Sequence, residues 1–331
     1  MRAVVTDSLR VGYVGDVPDW LATDSARQVL EELGIELVAG SATDIPDVVH
    51  IASGRQARVP AGVPIVAEQG ARARGTWPGR RGDAATPLTV PSIEPVDLDR
   101  FAPEEQLAEQ RGRDLRMFRR FHRLAGPVLL YAGAFVPGGG LDSAVEATVL
   151  LSRTIPTLRL AAIAVGEIDE HYLDRCERLA MPLGHRGIVE RDSPDDDLPL
   201  WFAVAAVACL PAREHVDQAP ALLAAAAGTP VVATRPFFDG IVADGATGFL
   251  LAPDAQAPLE ASLARLLIAD DEREQMGRES RKWAEQHLTA GARARALGLS
   301  WLAAARTSSS QAGTNESTNA AGDPIAASAR A

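Results

Sequence analysis

The chain has 331 residues, 47% of them apolar and 23% charged, the balance of a folded globular protein long enough for two domains. Its formal charge is −11, which argues against a nucleic-acid partner, since neutralising phosphates needs a basic surface. The two cysteines, Cys176 and Cys209, are too few for a disulfide framework and lack metal-ligand spacing, so no metal is expected and a reducing cytoplasm fits.

At the amino terminus Asp7 and Arg10 interrupt any apolar run, which argues against a signal peptide. No apolar stretch reaches the ~20 residues that span a bilayer, while contact of a surface helix with a membrane stays open. Arg10-Val11-Gly12-Tyr13-Val14-Gly15 has the pattern of a strand ending in glycine. Residues 23–33 carry Ala26, Val29, Leu30 and Leu33 at helical spacing, with Thr23 or Asp24 as cap and Gly34 as stop. Strands at 35–38, 48–51 and 63–67 follow, and the Arg- and Gly-rich residues 70–83 are expected as a loop. This alternation predicts a mainly parallel sheet.

Past an extended segment at 91–101, residues 104–124 predict a charged helix. A second α/β unit opens with a strand at 128–133. Further strands are expected at 160–165, 187–189, 204–210 and 231–233, and helices at 141–152, 170–180, 220–227 and 258–268. Asp195-Asp196-Asp197 has the look of a metal cluster but fits better as the cap of a helix starting at Leu198-Pro199. Residues 271–305 are amphipathic and helical. From Thr307 onward Ser, Thr, Ala, Asn and Gly dominate, and a disordered tail is expected.

One stretch carries more information than the rest. An apolar strand ends at Pro211, a helix starts near Pro220, Gly228-Thr229-Pro230 turns the chain into Val231-Val232-Ala233, and Asp244-Gly245-Ala246-Thr247-Gly248-Phe249-Leu250 follows. This resembles the donor-binding segment of the family-4 glycosyltransferases, and 91–101 resembles that family's interdomain phrase. The resemblance implies the GT-B arrangement: two Rossmann-like parallel-sheet α/β domains facing a cleft, with C-terminal helices crossing back to the first. The expected division is a short acceptor-side domain at 1–100, a nucleotide-sugar domain at 101–270, crossover helices at 271–306 and the tail at 307–331. It also implies a nucleotide diphosphate sugar as donor substrate, an acceptor of unspecified kind, and no separate cofactor.

The same comparison exposes departures. After the first strand of its second domain the family has glycine-arginine and then lysine-glycine; here Gly133-Ala134 and Gly139-Gly140 stand there, so both cations are replaced. Gly138-Gly139-Gly140 either presents backbone N–H groups to an anion or is a flexible loop before a helix. The family's two glutamates, eight positions apart, match His215 and Leu223, with Glu214 one residue early. His215 is either an acid–base group or an exposed loop residue. His50 ends Asp47-Val48-Val49-His50 and is either a cleft residue at a strand's carboxyl end or a structural histidine.

The candidate catalytic residues are therefore His50, Glu214 and His215. Gly133, Gly138, Gly139, Gly140, Arg235 and Thr229 are the candidates for holding the nucleotide. Phe237 and Phe238 occupy the turn where the donor sugar would rest, either plugging it or binding something apolar. Two lost cationic contacts would cost ~3–6 kcal/mol of donor binding. Two functions follow: a glycosyltransferase with a rebuilt donor site, or a catalytically silent homologue serving as partner-binding or scaffold subunit, with an active transferase as the natural partner.

Overall fold

The computed structural model describes residues 8–14, 17–39, 46–51, 56–58, 63, 65–68, 72–74, 88–90, 94–214 and 216–319. Among them the chain divides into one unit of Met1–Pro95 with Ala290–Ala331 and another of Val96–Thr289. Each is a parallel α/β unit.

In the first unit β1 (Leu9–Val14), α1 (Asp24–Glu32), β2 (Ile35–Ala39), β3 (Val48–Ile51), β4 (Gln56–Arg58), β5 (Ile65–Glu68), β6 (Arg72–Arg74) and β7 (Leu88–Val90) follow in order. The sheet runs β2-β1-β3-β5-β7, all parallel, with β4 and β6 paired separately. The strand β6 thus lies inside the expected loop at 70–83. Local chemistry sets α1 as the sequence predicts. The Thr23 hydroxyl accepts from the Ala26 N–H at 3.4 Å, and Gly34, at φ +68°, ends the helix and returns the chain to β1 through Leu9 N–H to its carbonyl. The core joins Val11, Leu30, Ile35 and Val48 to Ala294, Leu297 and Trp301 of the closing helix. That helix comes very near α1: a Cβ on its Gly298 would lie 2.6 Å from Leu33 Cδ1 and 3.0 Å from Ile35 Cδ1.

The second unit contains α2 (Glu104–Phe121), β8 (Val128–Phe135), α3 (Leu141–Leu151), β9 (Arg159–Ile168), α4 (Glu170–Ala180), β10 (Gly187–Glu190), α5 (Leu198–Val204), β11 (Val207–Leu210), α6 (Ala219–Ala226), β12 (Val231–Thr234), β13 (Gly248–Leu251), α7 (Gln256–Ile268) and α8 (Asp270–His287). The closing helix is then α9 (Ala290–Asn319), which continues past Thr307, where composition predicts disorder. The apolar run 204–210 is not one strand, because Pro199 and the preceding turn start a short buried helix, α5, that ends at Val204. Asp197 stands at the head of α5 as expected, but its side chain makes no capping bond.

The second sheet runs β10-β9-β8-β11-β12-β13, all parallel. Strands 8 to 10 build outward one way and 11 to 13 the other, so β8 and β11 flank a topological switch point, where ligands of open α/β sheets bind. On the outside, Arg281 of α8 donates to the carbonyls of Leu98, Phe101 and Ala226. Gly277 of α8 packs on the Gly228 turn, where a Cβ would lie 2.3 Å from the Gly228 oxygen.

Candidate functional site at the switch point

From the carboxyl end of β8 a tight turn, Pro137–Gly139, leads through Gly140 into α3. Gly140 has φ +86°, and a Cβ on it would lie 2.1 Å from the Pro211 oxygen, so the position demands glycine twice over. Gly138 lies beneath Glu214, whose Oε2 would be 2.9 Å from an added Cβ. Gly139 rests on Tyr131, whose buried hydroxyl donates to the Ala134 carbonyl at 2.8 Å. A Cβ at 139 would meet that hydroxyl at 2.6 Å and the Ala134 oxygen at 2.7 Å. A lysine therefore has no room at 139 while Tyr131 stays in place. The triplet is a packed turn and not a flexible loop, and the Gly139 N–H is already bonded to the Val136 carbonyl at 2.9 Å.

Arg213 ties this turn down. Its N–H donates to the Gly138 carbonyl at 2.8 Å, and its guanidinium reaches Pro137 O (3.3 Å), Asp142 Oδ1 (2.8 Å), Ser143 Oγ (2.5 Å) and Asp254 Oδ1 (2.9 Å). Asp142, buried in the first turn of α3, also takes the Tyr172 hydroxyl at 2.9 Å, the Ser143 N–H at 3.0 Å and an ion pair with Arg175. Burial pushes the Asp142 carboxyl upward, but the bonds from Arg213 and Tyr172 and the charge of Arg213 outweigh this and hold it below its ordinary value. The reciprocal holds for Arg213: burial lowers it, and Asp142 more than compensates.

Across the switch point, at the start of α6, the exposed Asp217 takes the Ala219 N–H on Oδ1 at 2.9 Å. Between the two helix starts Tyr131, Ala134, Gly139, Leu210, Asp217 and Phe238 line a cavity of about 20 Å³, room for roughly one water. Phe238 is 1% exposed and closes it, while Phe237, half-buried, accepts from Gln218 through its carbonyl. Of the two aromatic residues in the turn, Phe238 is the one that fills the space.

Of the other predicted positions, Gly133 lines that cavity, and Glu214 lies exposed over the turn. Arg235 follows β12, where Asp239 (3.0 Å) and Asp244 (3.2 Å) neutralise it. Thr229 precedes β12, at the opposite end of the sheet, and its buried hydroxyl is spent on the Phe202 carbonyl at 2.7 Å, so it does not join the site. His50 is fully buried in the first unit. It stacks on Tyr13 and accepts from the Trp301 indole N–H at 3.2 Å, a core histidine and not an open acid–base group. His215 lies outside the described residues.

Asp244-Gly245-Ala246-Thr247-Gly248 is a self-bonded turn: Asp244 Oδ1 takes the Leu250 N–H at 3.0 Å and Thr247 Oγ1 the Ala243 N–H at 2.8 Å. The run that carries the family resemblance is here scaffold. Sequence reading missed Asp142, Arg175 and Arg213. Only Arg213 gave a hint, standing beside the candidate Glu214 in the sequence.

Residues 126–269 match the family described as glycosyl transferases group 1. Solved structures with the same architecture include a glycosyltransferase from Rickettsia africae (TM-score 0.59, 12% identity, 90% of this chain and 99% of that one) and WaaG, a glycosyltransferase involved in lipopolysaccharide biosynthesis (0.52, 15%, 86% and 97%). This is a GT-B glycosyltransferase fold. The chain resembles family 4 most in its second unit. A D-inositol 3-phosphate glycosyltransferase of Frankia alni is 32% identical over 233 residues, 67% of this chain and 52% of the relative. An MMP alpha-(1->4)-mannosyltransferase of Mycolicibacterium hassiacum is 31% identical over 203 residues, 59% of this chain and 48% of the relative. The chain thus spans about half the length of these curated relatives. Among the described residues no helix is long and apolar enough to cross a membrane.

Proposed function

We propose that this glycosyltransferase-like protein is a catalytically silent homologue, a partner-binding or scaffold subunit that no longer grips a nucleotide diphosphate sugar. The observation that carries this reading is that both helix starts at the switch point hold one of the chain's own carboxylates, Asp142 at α3 and Asp217 at α6. A helix N-terminus favours an anion through its free N–H groups and dipole. An internal carboxylate already takes up one of those N–H groups and leaves less for a second anion. The charges around the turn support the reading: Arg175, Arg213 and Arg235 stand against Asp142, Glu214, Asp239, Asp244 and Asp254. The partner we propose for it is an active transferase. The two free, buried cysteines support a reducing compartment such as the cytoplasm.

The second reading, an active transferase with a rebuilt donor site, is favoured by Glu214, an exposed carboxylate poised over the glycine turn. Titration calorimetry with uridine and guanosine diphosphates and their glucose and mannose esters separates the two. The silent reading expects no heat at millimolar ligand. Micromolar binding with release of free nucleotide would replace it with the enzyme reading.

A further inference from the structure

Helix α2 breaks at Arg111, where φ is −130°, and its second half has two unlike faces. Leu115 and Phe118 are buried against the second unit. The opposite face carries Arg113, Arg116, Met117, Arg120 and Phe121, spaced i, i+3, i+4, i+7 and i+8 and all exposed, so they form one stripe along the helix. Met117 is 61% and Phe121 81% exposed, the latter unusual for an aromatic side chain. Arg123, also exposed, follows just past the helix end. Arg119 and Arg111 are paired with Glu104 and Asp114, but no carboxylate among the described residues pairs with Arg113, Arg116, Arg120 or Arg123. Those four charges stand out on a chain whose net charge is −11.

We propose that this face of α2 docks the protein on an anionic phospholipid surface, with Phe121 and Met117 inserted among the acyl chains and the four arginines on the headgroups. The alternation of cation and large apolar side chain on one stripe is what selects lipid over other polyanions. An acidic protein or a nucleic acid needs the arginines and gains little from a free phenyl ring at the tip. A membrane interface uses both together. The inference is independent of whether the switch point binds a donor.

The test is co-sedimentation of the full chain with vesicles of phosphatidylcholine, with and without phosphatidylglycerol. Binding is expected only to the anionic vesicles and weakens as salt rises. Phe121→Ser is expected to reduce partitioning by about tenfold. Each arginine reversed to glutamate reduces it by at least about fivefold. All these residues are exposed, so thermal melts of the variants should match the parent. Failure to bind anionic vesicles overturns the proposal. So does binding that the double variant Met117→Ser/Phe121→Ser leaves unchanged, or equally tight, phenyl-independent binding to heparin, which would mark a generic polyanion surface.

Discussion

Tyr131, Gly139 and Ala134 show why position 139 accepts only a glycine. A side chain at 139 collides with the Tyr131 hydroxyl and with the carbonyl that hydroxyl holds. Gly139→Ala should therefore destabilise by about 2–3 kcal/mol. Tyr131→Phe alone should cost about 1 kcal/mol. The double variant should be more stable than the sum, since removing the hydroxyl frees part of the space; a urea-denaturation double-mutant cycle reads the coupling. Asp142 makes a second residue-scale prediction. Its folded pKa is lowered, so the unfolded chain binds the extra proton, and the stability it supplies is full at neutral pH and falls as pH drops through and below about 4. Asp142→Asn should flatten that acid limb, and Arg213→Ala should remove about 2–3 kcal/mol at neutral pH by leaving a buried carboxylate short of a partner. Parallel acid limbs in parent and Asp142→Asn would count against this account.

At the scale of elements, α9 completes the core of the first unit with Ala294, Leu297 and Trp301, and its nearness to α1 rests on Gly298. Gly298→Leu should push α9 off β2 and lower the melting temperature by several degrees, followed by near-ultraviolet circular dichroism of Trp301. Most helices, and the longer strands of both units, were legible because their apolar periods are strong and their stops are glycine, as at Gly34 and Gly228; β4, β6 and β7, of 3 residues each, are too short to show a period. The split at Val204 was not, since α5 and β11 are both wholly apolar and periodicity cannot separate a buried helix from a buried strand. The glycine turn was placed correctly, but its rigidity was hidden: it comes from Pro211, Tyr131 and Arg213, which are distant or unremarkable in sequence. Thr229 and the cleft reading of His50 failed for the opposite reason. Each sits in a family-like phrase, and only the packing reveals that its polar atoms are already committed inside a core.

Across the whole molecule the balance of charge at the switch point outranks any single missing residue. If carboxylates at the helix starts exclude the donor, then Ala134→Arg, which restores one family cation, should still show no uridine diphosphate binding at millimolar concentration by calorimetry. Strong binding by that variant would mean that the vacancy at 134 alone silenced the site. The first unit has a different kind of dependence. Its strands are made early, yet the helix that seals them begins roughly two hundred residues after β7. At the usual rate of ~5–20 residues per second, a nascent chain carries that half-built sheet, oily side uncovered, for about 10–40 s of synthesis. Chaperone capture on the ribosome, or misassembly when translation stalls before residue 290, is the cost of fastening the first part of the polypeptide with the last.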